Sequence, residues 1–136
     1  MVLFESPRIL LSWKEIDART VLWLGMRQVP NRDDVDALEK HMADLESCDN
    51  CAVVVEHIGD SPMSLPEMED FQRYAQLLFD YDSLVASKVQ AIIVQTQVSN
   101  GLAQIGFDIF KMLCRPRVVM ELVQGPDAMR AALSQV

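Results

Sequence analysis

The chain has 136 residues, half of them apolar and 24% charged, with a formal net charge of −8. That length and composition fit one globular domain able to bury its own core. Scattered Lys and Arg in an acidic chain exclude the dense basic patch that nucleic acid or anionic lipid requires. No run reaches the roughly 20 apolar residues of a membrane span. The opening MVLFESPRILL sets Glu5 and Pro7 where a secretory leader would carry a basic start and an unbroken apolar core. A cytoplasmic protein with its three cysteines reduced is therefore expected.

In chain order, RILLSWKEI (8–16) and RTVLWLGMRQV (19–29) read as a β-hairpin turning at Asp17-Ala18. PNRDDVDALEKHMADLESC (30–48) changes period: Val35, Leu38, Met42 and Leu45 recur every three to four residues, as on one helix face. Asn31 or Asp33 can cap it, and Asp33, Asp34 and Asp36 favour the positive end of its dipole. CAVVVEH (51–57) is short, continuous and β-branched, the pattern of a strand buried on both faces. In HIGDSPMSLPEM (57–68), Ser64 and Glu67 have capping-box spacing, with Leu65 and Pro66 in the first turn. Met68, Phe71, Ala75, Leu78 and Phe79 then trace a helix face.

VQAIIVQT (89–96) is a second buried strand. SNGLAQIGFDIFKML (99–113) is a helix with Leu102, Ile105, Ile109, Phe110 and Leu113 inward and Ser99 or Asn100 as cap. RVVMELV (117–123) is the last strand, and GPDAMRAALSQV (125–136) closes the chain as a helix with Pro126 near its start. The order ββαβαβαβα, with about four helices, implies right-handed crossovers and a mixed, mostly parallel sheet edged by the antiparallel hairpin. Residues 1–136 are expected to form a single α/β domain.

Ligands approach such sheets at the carboxyl ends of the strands. The loops HIGDSPMS, TQVSNG and QGP gather there, each leading into a helix N-terminus with unsatisfied N–H groups. The candidate partner- or ligand-binding residues are Asp60, Ser61, Ser64, Gln97, Ser99 and Asn100. The plainer role for Ser64, Ser99 and Asn100 is helix capping alone.

Catalysis is harder to build. His57 could pair with Asp60 or a Ser as a base, but no G-x-S-x-G elbow and no clear third member accompany it. No Gly-rich phosphate loop occurs. CDNC (48–51) is half a zinc site without a second pair, and it closes a helix, whereas a redox pair opens one. No catalytic residue, metal or cofactor is assigned.

KVQAIIVQTQVSNGLAQIGFDIFKMLCRPRVVMELVQGPDAMRAAL (88–133) resembles the C-terminal half of STAS-like domains, the group related to anti-sigma-factor antagonists. CAVVVEHIGDSPMSLPEM is similar to the central strand and loop before that family's second helix, and the element order extends the resemblance over residues 8–133. The resemblance implies a non-catalytic regulatory module that docks a protein partner or small ligand, in some members under control of a phosphorylated Ser. This chain departs there. The family's Asp-Ser-Ser-Gly-like motif is replaced by Met63-Ser64-Leu65-Pro66, the acceptor position falls on Leu65, and Ser61 or Ser64 would have to serve. Phosphate on Ser64 would join a helix N-terminus, where negative charge is favourable.

Two other classes compete. A truncated or divergent crotonase-like, acyl-CoA-binding enzyme loosely shares the element order of residues 19–71, although only Gly101 stands where several glycines are expected. A homodimeric scaffold would pair through the hairpin carrying Trp13 and Trp23. The sequence leaves the partner, the ligand and the oligomeric state open.

Overall fold

The computed structural model describes residues 1–59, 66–97 and 101–136, with the backbone alone of Leu102. The chain opens with a strand that the sequence pattern does not mark, β1 (Val2–Glu5), paired antiparallel with β2 (Ile9–Ile16). β2 pairs in turn with β3 (Arg19–Met26), in register from Ile9↔Met26 to Ile16↔Arg19. Asp17 and Ala18 turn the hairpin with φ of 51° and 63°, the two positive values a type I′ turn needs. Because β1 covers β2, the hairpin is interior to the sheet and not its edge.

The next helix, α1 (Arg32–Lys40), is capped by Asn31. Asn31 Oδ1 accepts from Asp34 N at 2.9 Å, while Asp34 Oδ2 accepts from Asn31 N at 3.0 Å, a reciprocal capping box. The expected long helix stops at His41 and tightens into a 3₁₀ helix over Met42–Ser47. Asn50, at φ 59°, then turns the chain into β4 (Cys51–His57), with the bounds expected from its β-branched run.

α2 (Met68–Asp80) starts later than the sequence spacing predicts. Glu67 is its N-cap and makes no side-chain capping bond, and Pro66 precedes the helix; Ser64, the other member of the expected box, lies outside the described residues. The single helix expected here is two, broken at Tyr81, with α3 (Asp82–Lys88) following. α3 is held by Arg117, whose Nε donates to Asp82 Oδ2 at 2.7 Å and whose backbone N donates to Oδ1 at 3.1 Å. The expected β5 (Val89–Thr96) is present, followed by α4 (Gly101–Cys114), β6 (Val119–Gln124) and α5 (Gly125–Ser134). Gly125 enters α5 at φ 82°, where a side chain would be strained.

The result is α/β: one six-stranded sheet in the order β1-β2-β3-β4-β5-β6, antiparallel through β3 and parallel from β3 to β6. Successive right-handed crossovers that advance in one direction place their helices on one face. α1, α2 and α4 lie there. α5 packs on the opposite face, where Met129 and Leu133 join Val21, Trp23, Ala52, Val54 and Ile93 in a buried cluster.

Candidate functional site

The sheet's period-2 alternation sorts its apolar residues onto two faces. Leu22, Leu24 and Met26 of β3, Val53 and Val55 of β4, and Ile92, Val94 and Thr96 of β5 line the face beneath α1, α2 and α4. Leu11 of β2 and Met120 and Leu122 of β6 extend it sideways. The helices above pack chiefly on one another: α2 meets α1 and α4, and Phe71 contacts Phe110 edge-on at 5.8 Å. Arg73 fastens α2 to α1 by donating to Asp36 at 3.0 Å and Glu39 at 2.7 Å. α5, by contrast, rests directly on β5 and β6.

Between the sheet and the α1–α2–α4 layer lies an apolar cleft of about 400 Å³, within the range of small-molecule sites. Its helical wall includes Val35, Leu38, Phe71, Leu78, Ala103, Gly106, Phe107 and Phe110. Gly106 widens it, since a Cβ there would meet nothing within 4 Å among the described residues. Among the described residues, no Asp, Glu, Lys or Arg lines the cleft. Its few polar side chains are engaged: His41 Nδ1 lies 3.0 Å from Asp44 Oδ2, Thr96 Oγ1 donates to the Val123 carbonyl at 3.5 Å, and the Tyr74 hydroxyl donates to the Pro30 carbonyl. Burial, reinforced by the Asp70 and Asp34 carboxylates, pushes the Tyr74 hydroxyl well above its ordinary range.

At the carboxyl edge, His57 ends β4 opposite Met26 of β3. The preceding pair, Glu56↔Gln95, sets it beside Thr96 of β5. Alternation puts its side chain on the face of Val53 and Val55. Its Nε2 is shielded from solvent and has no hydrogen-bond partner among the described residues.

Of the candidate residues, Gln97 is placed: its Nε2 donates to the His57 carbonyl at 3.0 Å, tying the end of β4 to the chain just after β5. Asp60, Ser61, Ser64, Ser99 and Asn100 lie outside the described residues. Three expected inward positions on α4, Ile105, Ile109 and Leu113, need correction, since they are exposed; Met68 and Phe79 of the apolar face of α2 are exposed as well. Both stripes of α4 are apolar, so periodicity alone does not choose between them. The inward stripe is Ala103, Gly106, Phe107 and Phe110, with Cys114 buried.

The Cys48–Cys51 segment leads from the 3₁₀ helix into β4 and builds no site. Cys51 is fully buried, and burial, followed by its hydrogen bond with Cys48, pushes its thiol up to about 12, a poor nucleophile. Among the described residues, no cluster of His, Cys, Asp and Glu could hold a metal ion, and no helix is long and apolar enough to cross a membrane. No family model, curated protein or solved structure matches this chain.

The cleft and the isolated His57 nitrogen are the features that sequence reasoning missed. A signal was present. α4 carries Ala103 and Gly106 on a stripe where a close-packed helix of this layer would present larger side chains.

Proposed function

We propose that the chain is a STAS-like, non-catalytic cytoplasmic regulatory module that takes a small apolar ligand into the cleft between its sheet and the α1–α2–α4 layer. A protein partner would then read the occupied state at the carboxyl edge. The observation that carries this reading is the cleft itself, about 400 Å³ with a hydrocarbon lining. The α2–α4 pair that roofs it is held mainly by helix–helix contacts, so filling the cleft changes the surface that a partner meets.

The test is titration with Nile red, an uncharged apolar dye, against wild type and Gly106→Leu, which places a side chain inside the cleft. Saturable one-to-one binding by wild type and loss in the variant support the reading. Equal binding by both proteins removes the cleft as the site.

Self-association is a second reading, favoured by the outer stripe of α4, where Ile105, Ile109 and Met112 are 57%, 45% and 74% exposed. The interface would then be α4 and not the hairpin, since Trp23 is buried and Leu24 lines the cleft. Light scattering of wild type beside Met112→Lys decides: a dimer that the charge disperses supports it, and a monomeric wild type refutes it.

A further inference from the structure

Resting on the reading of the cleft as a ligand site, we infer that its ligand is an uncharged hydrocarbon alcohol whose hydroxyl donates to His41 Nε2 at the cleft's rim. Among the described residues no Asp, Glu, Lys or Arg lines the cleft, and burying an ionised group without a partner is costly. The ligand is therefore neutral. A volume of about 400 Å³ stands near the low end of small-molecule sites, which suits one short chain or ring system.

The polar group is selected by where the lining spends its protons. His41, Tyr74 and Thr96 are the hydrogen-bonding side chains of the wall among the described residues. The Tyr74 hydroxyl donates to the Pro30 carbonyl, and the Thr96 hydroxyl donates to the Val123 carbonyl at 3.5 Å. His41 Nδ1 lies 3.0 Å from Asp44 Oδ2. A carboxylate only accepts, so the neutral imidazole carries its proton on Nδ1. Each of the three has given its proton to the protein. These side chains keep no N–H or O–H for a ligand, so a carbonyl or ether oxygen would go unmet there.

A hydroxyl does find an acceptor. In this tautomer His41 Nε2 presents a lone pair. It has no hydrogen-bond partner among the described residues and is not among the atoms shielded from solvent. The side chain lines the cleft and is still 28% exposed, which sets it at the rim. A pure hydrocarbon seated against it would displace water from Nε2 and strand a polar atom. A hydroxyl replaces the hydrogen bond that the water made.

Menthol and menthone share one carbon skeleton and differ in carrying a hydroxyl or a ketone. Each is titrated, in mildly alkaline buffer, against the whole chain loaded with Nile red, and release of the dye is read by fluorescence. Wild type is expected to release the dye at about tenfold lower menthol than menthone, the worth of one hydrogen bond. His41→Phe keeps a ring and removes its nitrogens. It should abolish the menthol preference and leave menthone unchanged, with circular dichroism verifying the fold.

Equal release by the two compounds in wild type, or release by neither, overturns the alcohol class. A menthol preference that survives His41→Phe overturns the His41 assignment, and so does an equal weakening of both compounds, which marks a structural role. In each case Nile red bound by wild type and lost in Gly106→Leu leaves the cleft reading standing. If wild type binds no Nile red, both readings fall.

Discussion

Trp23 donates its indole N–H to Glu56 Oε2 at 2.8 Å, joining β3 to β4 on the face opposite the cleft. The ring is 5% exposed, and Lys14 Nζ sits 3.4 Å from its centroid. One strand, β3, therefore carries a closely packed face through Trp23 and an open one through Leu22, Leu24 and Met26.

Gly25 shows how tight the packed face is. A Cβ there would stand 2.4 Å from Trp23 Cη2 and 2.8 Å from Ile58 Cδ1. Gly25→Ala should destabilise the fold by about 1–3 kcal/mol through overpacking, read as a lower urea midpoint. An unchanged midpoint would show that Trp23 can shift freely, contrary to its hydrogen bond.

Gly106 should behave in the opposite way. Its added Cβ meets nothing within 4 Å among the described residues, and exchanging Gly for Ala inside a helix is worth about 1 kcal/mol. Gly106→Ala is expected to raise the thermal midpoint. A drop would mean that α4 lies closer to the sheet than a ligand cleft allows.

Asn31 and Asp34 each satisfy the other's backbone N–H at the start of α1. Asn31→Ala should lose about 1 kcal/mol, with Asn31→Asp close to wild type. Because the two residues form one box, Asn31→Ala/Asp34→Ala should lose less than the two single losses added together. Strict additivity in a double-mutant cycle would mean that the box contributes nothing as a unit.

Stability should fall in alkali. Burial raises Cys51 to about 12 and also raises Cys114 and Tyr74. The native state therefore holds these protons where the unfolded chain releases them. Their contribution is complete below the unfolded thiol value of about 8.5 and is lost as pH climbs toward the folded values. Denaturation curves from pH 7 to 11 should show this decline, with a shallower slope above pH 9 for Cys51→Ala. An identical slope in the variant would remove Cys51 as a contributor.

Elements whose local pattern has one solution could be read from the sequence. CAVVVEH and VQAIIVQT are too short and too β-branched for anything but buried strands, and both occupy the expected residues. Asp17-Ala18 turned where it was placed, although Ala seldom adopts positive φ; pairing along eight residues of each strand supports the turn. β1 escaped because VLFE has no pattern of its own and is fixed by β2 alongside it. The inward face of α4 escaped because Ile105 and Ile109 are as apolar as Phe107 and Phe110. The cleft was hidden for a related reason: hydrophobicity marks which residues turn inward, and says nothing of whether they touch.

Each strand lies beside the one that precedes it in the chain, so none waits for a later arrival to fill a gap. A growing polypeptide can lay the sheet down from its first hairpin outward, every βα unit docking on an edge already formed. This order limits each new pairing to one crossover, while the parallel contacts themselves remain non-local and slow to form. It also makes β6 and α5 the closing unit, so a ribosome-bound chain lacking them would present β5 as a bare, adhesive margin.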